Sequence, residues 1–162
     1  MKKTVLYLLI ILPVYLLISI YFLDKQYFLS PIEYKRGIII RNDYYGDGFF
    51  AAKRNGGRMH RGIDLLAAVG TPVLASRSGI VAAVEENRGM GKYVIIKHPG
   101  GIITIYGHLS KICVSKNQFL RQGQIIGNVG KTGNANLRDI QPHLHFEVKN
   151  NGIPQDPLGY LE

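Results

Sequence analysis

The sequence predicts an all-β domain, a compact antiparallel β-sheet or sandwich, preceded by one N-terminal transmembrane helix. Three observations lead to this fold class. The chain of 162 residues begins with a long uncharged run, and its later part consists of short β-prone runs separated by Gly, Pro and Asn. No segment after Asp24 shows a convincing helical period of 3.6 residues. A chain of this length is sufficient for one domain, but not comfortably for two.

The N-terminal run has the features of an uncleaved signal anchor. Lys2 and Lys3 precede residues 4–23, which carry no charge. A helix of about twenty residues spans about 30 Å, which is the thickness of a bilayer core. No pair of small residues follows the run. We therefore expect an anchor at 1–23 in preference to a cleaved signal peptide, which stays open as the alternative.

The lysines before this run predict its orientation. Positive charge favours the cytoplasmic side, so we expect a single-pass protein of the cytoplasmic (inner) membrane. The rest of the chain is then extracytoplasmic, either periplasmic or wall-facing, and a nucleic-acid partner is disfavoured. We assign 24–56 to a juxtamembrane linker and irregular lead-in, and 57–162 to the folded domain.

Composition narrows the class of partner. Lys and Arg number 20 against 11 Asp and Glu, which gives a net charge of +9. This balance suits an anionic polymer or phospholipid headgroups, although a solvated basic surface without a partner has the same composition. No Lys/Arg run of the kind found in nucleic-acid-binding arms is present. Cys113 is the only cysteine, so no intrachain disulfide can form, and its apolar neighbours predict a small buried side chain.

Turn residues divide the later part of the chain into six β-prone runs. Between two of them, Pro99–Gly101 predicts a hairpin turn, and His98 beside it is expected at the surface. Upstream, residues 38–40 predict one short strand, and residues 43–57 have the composition of a loop. The six runs are 72–75, 79–85, 93–97, 102–106, 124–129 and 143–149.

Two histidines of the last run indicate a metal site. His143 and His145 are two residues apart, so in a strand they lie on one face while Leu144 lies on the other. His60 and Asp64 are four residues apart in an earlier segment. Together with one histidine of the pair they form a His2Asp set. Three protein ligands and one open position are typical of hydrolytic zinc sites.

A histidine that does not bind the metal can perform acid–base chemistry, because its ordinary pKa is close to neutral. His108 follows a glycine in a third segment and can donate a hydrogen bond to an oxyanion. Each motif alone has a simpler explanation: His60 and Asp64 can form a surface ion pair, and His108 can occupy a turn. The three segments together, in one short β-rich chain, favour a metal-dependent hydrolase.

The order of these motifs resembles the M23 metallopeptidase family, the LytM/lysostaphin-type peptidoglycan endopeptidases. The resemblance covers about residues 57–160. It implies a compact antiparallel β fold with a groove over one zinc ion. The motifs that carry it are His60–Leu65, Gly70–Val73, Gly79–Val81, Tyr106–Ser110, Gly123–Gly127 and Pro142–Glu147.

The resemblance also implies a role for each residue. His60, Asp64 and His145 match the zinc ligands, and His143 matches the histidine that acts as general base. His108 matches a second active-site histidine that helps to stabilise the transition state. The implied activity is hydrolysis of peptide cross-links in peptidoglycan, with peptidoglycan peptides as substrate. The anchor would confine the enzyme to local cell-wall remodelling, within reach of the membrane or in an envelope-spanning assembly.

Two alternatives to the enzyme remain, and one segment departs from the family pattern. A non-catalytic M23-like regulator of other wall hydrolases typically lacks metal ligands, and a peptidoglycan-binding module needs none, so the complete set of five residues favours the enzyme. Residues 134–141 lengthen the link between Thr132-Gly133 and Pro142. We expect this loop to shape the substrate groove, with Arg138 available to a substrate carboxylate; a neutral surface insertion is the alternative. Whether 43–57 or 134–141 gates the site is not decided by the sequence.

Overall fold

The computed structural model describes residues 11–16, 27–54 and 56–161. The predicted anchor, 1–23, lies outside the described residues except for 11–16, which are helical. In the described part of the chain, no helix is both long enough and apolar enough to span a bilayer. The predicted all-β, antiparallel character is confirmed for the rest of the described residues.

Strands are the main regular structure of the described residues, and short 3-10 turns occupy Pro99–Gly101, Gly133–Ala135 and Pro157–Gly159. The six predicted β runs correspond to six of the strands below, and the 3-10 turn after His98 connects two antiparallel strands, as the predicted hairpin requires. The strands are β1 (Asn42–Asp43), β2 (Gly46–Asp47), β3 (Ile63–Leu66), β4 (Pro72–Leu74), β5 (Gly79–Asn87), β6 (Gly91–Lys97), β7 (Ile102–Ile112), β8 (Phe119–Leu120), β9 (Ile125–Val129), β10 (His143–Asn150) and β11 (Ile153–Gln155).

Strands β3 to β11 form one sheet in which all pairs are antiparallel, and β1 and β2 form a separate two-stranded hairpin. β10 occupies the position that matters most for function. It pairs with β7 along one side, and with β3 and then β11 along the other. A side chain of β10 therefore has neighbours from strands that are distant in sequence.

The two faces of β10 differ: one packs into the hydrophobic core and the other is polar. Leu144, Phe146 and Val148 are fully buried in the hydrophobic core. The alternate residues His143 and His145 point to the opposite face and line a cleft. This confirms the predicted alternation about Leu144, because successive side chains of a strand point to opposite faces. Burial of each large apolar side chain contributes about 1.5–3 kcal/mol, which fixes the register and therefore the face on which the histidines lie.

The core extends into the segment that the sequence assigns to a linker. Phe28 and Ile32 are buried among the sheet residues. The amide of Leu29 donates to Ser76 O over 2.9 Å, and Phe28 forms a parallel bridge with Leu161. These contacts attach the start of the lead-in to the folded domain.

Three local predictions differ from the structure. Residues 38–40 do not form a strand: only Ile40 is bridged, to Leu65, where the chain passes the edge of β3. Cys113 is exposed, because β7 ends at Ile112 and the next side chain turns outward. His98 is buried, and both of its ring nitrogens have hydrogen-bond partners there, Ser78 O at 2.9 Å and the Thr104 hydroxyl at 2.8 Å.

Candidate active site

Two paired strands bring three predicted metal ligands to one point. Asp64 on β3 lies directly opposite His145 on β10 in the strand register, and His60 precedes β3. His145 Nδ1 is 2.9 Å from Asp64 Oδ1 and 3.1 Å from His60 Nε2. His60 Nε2 is 3.2 Å from the same carboxylate oxygen. One donor atom from each of the three buried residues thus lies within 4.8 Å of the others.

Glycine permits this close strand pairing. A Cβ at Gly62 would lie 2.2 Å from the carbonyl oxygen of Phe146, so a side chain there would separate β3 from β10. Gly107, opposite His145 on the other side of β10, leaves room beside the imidazole, since a Cβ there would be 3.4 Å from the His145 Cβ and 2.9 Å from Met90 Cε.

Each imidazole of the three donors is oriented by a partner behind it. His60 Nδ1 donates to the carbonyl oxygen of Phe49 over 2.8 Å, which leaves Nε2 without a proton in the neutral ring. His145 Nε2 donates to Glu147 Oε1 over 3.1 Å, so Nδ1 faces the other donors. Outer hydrogen bonds of this kind orient the histidine ligands of metal sites.

The carboxylate of the set is also fixed from behind. Asp64 Oδ2 accepts from Arg41 Nη2 at 3.0 Å and from Arg54 Nη2 at 2.8 Å, and this leaves Oδ1 directed to the histidines. Arg41 is itself buried and also pairs with Asp43. The lead-in segment therefore supplies the two cations that hold the carboxylate in place.

Electrostatics indicate that a cation belongs at this point. Burial raises the pKa of Asp64, but the hydrogen bond from His145 and the contact with the His60 ring outweigh it and hold the pKa well below its usual value. Burial lowers the pKa of His145, yet bonds to Asp64 and Glu147 outweigh that effect and raise the pKa to about 9. At neutral pH the protonated His145 ring therefore lies against the ionised Asp64 carboxylate. Two imidazole nitrogens and one carboxylate oxygen form a donor set that fits zinc.

His143 and His108 lie beside this set. The His143 Nε2 atom is 3.8 Å from Asp64 Oδ1, and the ring centroids of His143 and His108 are 4.9 Å apart. In both rings Nδ1 donates to a backbone carbonyl oxygen, that of Gln141 at 2.7 Å and that of Thr132 at 2.9 Å, respectively. This arrangement fixes the tautomer, and in each neutral ring the lone pair is on Nε2.

Both rings are neutral at physiological pH. Burial is the main cause that lowers the pKa of His108 to about 3, and the neighbouring His145 and His143 add to it. Burial likewise lowers the pKa of His143. A neutral imidazole with a free Nε2 lone pair can accept a proton, so each ring has the state that a base requires.

A bulge in β7 directs His108 toward the site. Lys92 of β6 pairs with Leu109 and Val94 pairs with Tyr106, so two residues of β7 oppose one of β6. His108 has φ 62°, a left-handed conformation that is uncommon for a residue with a side chain. Its amide donates to Met90 O over 2.8 Å, which holds the bulge. Strained backbone of this kind concentrates at functional sites.

A cleft of about 1010 Å³ opens over these five residues. Residues 41–54 and 56–61, here called the lead-in wall, are attached to β3 on one side of β10. Residues 87–90 and 134–140, here called the loop wall, adjoin β7 on the other side. The predicted loop thus does line the groove, but Arg138 is exposed and is not among the lining residues.

The structure brings together all five residues that the sequence singled out, namely His60, Asp64, His108, His143 and His145. Their supporting residues were missed. Glu147 is two residues after His145 on β10, so strand alternation could have placed it on the same face as the two histidines. Arg41 and Arg54 are 23 and 10 residues away from Asp64 in sequence, and no pattern connects them to it.

Comparison with known proteins gives consistent similarities. The sequence profile of Peptidase family M23 matches residues 58–157. DD-carboxypeptidase/endopeptidase Mpg of Neisseria meningitidis serogroup B is 42% identical over 101 residues, which are 62% of this chain and 22% of that protein. Peptidoglycan DD-endopeptidase ShyC of Vibrio cholerae serotype O1 is 42% identical over 100 residues, again 62% and 22% of the two chains.

Solved structures show the same similarity. The crystal structure of a zinc containing peptidase from Vibrio cholerae superposes with a TM-score of 0.66 at 34% identity, covering 81% of this chain and 39% of that chain. The present chain spans about a fifth of the length of the two curated relatives, since it matches 22% of each.

Proposed function

The chain belongs to peptidase family M23, and on that premise we propose that it is a zinc-dependent endopeptidase that hydrolyses peptide cross-links of bacterial peptidoglycan. The observation that carries this proposal is the convergence of three metal donors beside two neutral histidines in one open cleft. A relative named as a peptidoglycan DD-endopeptidase and a solved zinc containing peptidase of the same fold support it.

His60, Asp64 and His145 would hold the zinc ion through Nε2, Oδ1 and Nδ1, respectively. When bound there, zinc polarises a scissile carbonyl and lowers the pKa of a water molecule toward neutrality. The protein contributes the orientation of the donors. Phe49 O and Glu147 fix the two rings, so that little reorganisation accompanies metal binding.

His143 is the proposed general base. Its Nε2 faces the donor set with a free lone pair, and its Nδ1–H is held by Gln141 O, so the ring can accept a proton from water without turning. The proton can then be passed to the leaving amine nitrogen, which completes hydrolysis of the amide. Burial keeps the pKa of His143 low, so the base remains unprotonated at neutral pH.

His108 is the proposed stabiliser of the transition state, and its geometry sets a condition on this role. Because Nδ1–H is used by Thr132 O, the ring can donate toward the cleft only when Nε2 is also protonated. Negative charge that develops beside the ring raises the pKa of His108, which opposes the effect of burial. His108 would therefore have to take up a proton on Nε2 from solvent before it could donate to the oxyanion, and would return that proton to solvent when the oxyanion collapses.

Digestion of purified peptidoglycan by the full chain tests the activity. We expect zinc-dependent release of peptides that a chelator abolishes and added zinc restores, with mass spectrometry of the products identifying the bond. His143→Ala serves as the matched variant that keeps the metal donors. If no chelator-sensitive release occurred on any wall type, a regulator of other hydrolases or a binding module would be the better assignment.

We also propose that residues 1–23 anchor the protein in the cytoplasmic (inner) membrane, with the catalytic domain extracytoplasmic. The two lysines before the uncharged residues 4–23 support this orientation. Membrane fractionation and external protease treatment test it. Retention in carbonate-washed membranes is expected, together with cleavage of the domain only from the extracytoplasmic side. Recovery of the intact protein in the soluble fraction would contradict the anchor.

A further inference from the structure

The lead-in wall carries three cations that face the cleft without a partner. Lys53, Arg58 and Arg61 line the cavity and are exposed. Within the ranges that the structure describes, no carboxylate lies within ion-pair distance of any of them. Between Asp47 and Asp64 the sequence contains no acidic residue. The positive charge of this wall is therefore available to a ligand.

These three cations differ from the other two arginines of the same wall. Arg41 and Arg54 both bind the Asp64 carboxylate, at 3.0 and 2.8 Å, and this consumes their charge within the site. Lys53, Arg58 and Arg61 form no ion pair with any residue in the described part of the chain.

The backbone places the free cations next to the reacting point. Lys53 is bridged to Met59, and the His60 amide donates to Ala52 O over 2.9 Å, so residues 52–54 and 58–60 run antiparallel to each other and end at a metal donor. Arg61 adjoins His60 and Arg58 is two residues before it, a backbone span of at most about 7 Å. Groups of a bound peptide that lie within one or two residues of the scissile amide are thus within reach of these side chains.

The loop wall has a different character. Its lining residues carry no charge; they are Asn87, Gly89, Met90, Asn134, Ala135, Leu137 and Ile140. The wall is attached to β7, and the amide of Asn134 donates to Gly89 O over 3.0 Å, which joins its two segments. A substrate that crosses the cleft consequently meets positive charge on one side of the catalytic residues and neutral or apolar surface on the other.

We propose that the lead-in wall selects cross-link peptides that carry a free carboxylate beside the scissile amide, in preference to amidated or oligoglycine cross-links. The inference rests on the proposed peptidase function and assigns its substrate class. Three cations next to the reacting point favour an anionic group through charge complementarity, while neutral glycine offers them nothing. The neutral loop wall would receive the uncharged side of the cross-link, so the asymmetry also sets the direction in which the peptide binds.

Two synthetic cross-link peptides test the proposal; they are identical except for a carboxylate or a carboxamide next to the scissile bond. With the zinc-loaded full chain we expect kcat/KM to be about tenfold higher for the carboxylate peptide, since three exposed charge pairs each contribute modestly. The triple variant Lys53→Gln, Arg58→Gln, Arg61→Gln should bring the ratio close to one, mainly by loss of activity on the carboxylate peptide. Higher ionic strength should lower the wild-type ratio, because exposed charge pairs are screened.

Lys116→Gln is the matched control, because Lys116 is exposed and does not line the cleft. It should leave the ratio unchanged. Equal kcat/KM for the two peptides in the wild type, or an unchanged ratio in the triple variant, would overturn the inference and leave the peptidase function intact. If neither peptide is cleaved, the proposed function fails, and calorimetric Kd values for the two peptides then decide: a tenfold preference lost in the triple variant supports the inference, and equal Kd values overturn it.

Discussion

The metal-donor set and the two histidines beside it occupy the same cleft, yet they are supported from behind in different ways. Among the donors, Asp64 and His145 are backed by charged groups, two guanidinium groups and one carboxylate, respectively. His108 and His143 are backed by backbone carbonyl oxygens alone. Both kinds of support fix the orientation of a ring, but only charged support also moves charge into the site.

The pKa values follow this difference. A carboxylate on each side of the ring raises the pKa of His145 to about 9 in spite of full burial, whereas burial beside a neutral carbonyl lowers the pKa of His108 to about 3. Histidines a few ångströms apart are thereby prepared for different work. At neutral pH His145 carries a proton on both ring nitrogens, whereas the His108 ring is neutral.

The largest effect is expected from Asp64→Ala. This change removes the donor that is shared by both histidine ligands and leaves the buried Arg41 with less compensation. Stoichiometric zinc binding and peptidoglycan hydrolysis should both be lost. Removal of one partner from a buried ion pair costs about 3–5 kcal/mol, so the metal-free variant should also unfold at lower denaturant concentration.

Zinc content by elemental analysis and urea unfolding of the metal-free proteins measure these two effects. Lys116→Gln again provides a surface control that should resemble the wild type. A variant that lacks Asp64 yet retains one zinc ion per chain would show that the proposed donor set is wrong.

His143→Ala should show that zinc binding by the metal-donor set does not depend on the two histidines beside it. The ring makes no direct bond to the donor atoms at hydrogen-bond distance, since its Nε2 is 3.8 Å from Asp64 Oδ1. Turnover should therefore fall about 10²–10⁴-fold, as for loss of a general base, while zinc content stays at one per chain. Loss of zinc together with activity would show that the metal-donor set depends on His143.

The sequence predicted the five residues of the site, but it did not predict most of the residues that hold them in place. The face shared by His143 and His145 follows from strand alternation, and the register is enforced by the buried Leu144 and Phe146, so local pattern was sufficient. The six β runs were recognisable for the same reason. These features depend on residues that are close in sequence.

The missed features depend on contacts between distant segments. Arg41 reaches Asp64 only because the lead-in runs along β3, and Phe28 enters the core through a bridge to Leu161, near the other end of the chain. Neither has a periodic signal. His98 was expected at the surface because it precedes a turn, but its ring is buried against the following strand, where it is hydrogen-bonded to the Thr104 hydroxyl.

Zinc binding should release about one proton at neutral pH. The resulting change of zinc affinity with pH is expected to be smaller than the losses caused by Asp64→Ala and His143→Ala. His145 is protonated in the metal-free protein up to pH of about 9, its pKa being raised by Asp64 and Glu147, and a ligand nitrogen must be deprotonated. Apparent zinc affinity should therefore rise about tenfold per pH unit from neutrality and level off near pH 9. The histidines with lowered pKa, His108 and His143, should contribute nothing in this range.

Calorimetry of zinc binding in buffers of different ionisation enthalpy measures the released proton directly. Glu147→Gln is the informative variant, because it removes one of the charges that raise the pKa of His145 and should reduce proton release at neutral pH. The same raised pKa makes a stability prediction for the metal-free protein: the contribution is complete below the ordinary histidine pKa and is lost as pH rises toward 9. Zinc affinity that does not change between pH 7 and 9 would contradict the assignment.

The smallest effect is expected from substitution of Asp43, which is connected both to the metal-donor set and to His143. Its carboxylate pairs with Arg41, which holds Asp64, and its Oδ2 accepts from the Gln141 amide at 3.1 Å. The carbonyl of Gln141 in turn holds the His143 ring. Asp43→Ala should lower kcat severalfold by loosening His143, at a cost of about 1 kcal/mol for the lost hydrogen bond.

Asp43→Asn distinguishes the two connections, because the amide oxygen can still accept from Gln141 while the charge opposite Arg41 is lost. If Asp43 acts by positioning Gln141 and hence the His143 ring, Asp43→Asn should retain most of the wild-type kcat. If the charge on Arg41 matters more, Asn should resemble Ala, and zinc affinity should fall in both variants because Asp64 is held less firmly. Wild-type kcat and zinc affinity in Asp43→Ala would mean that the donor set and the base are positioned separately, each by its own strand.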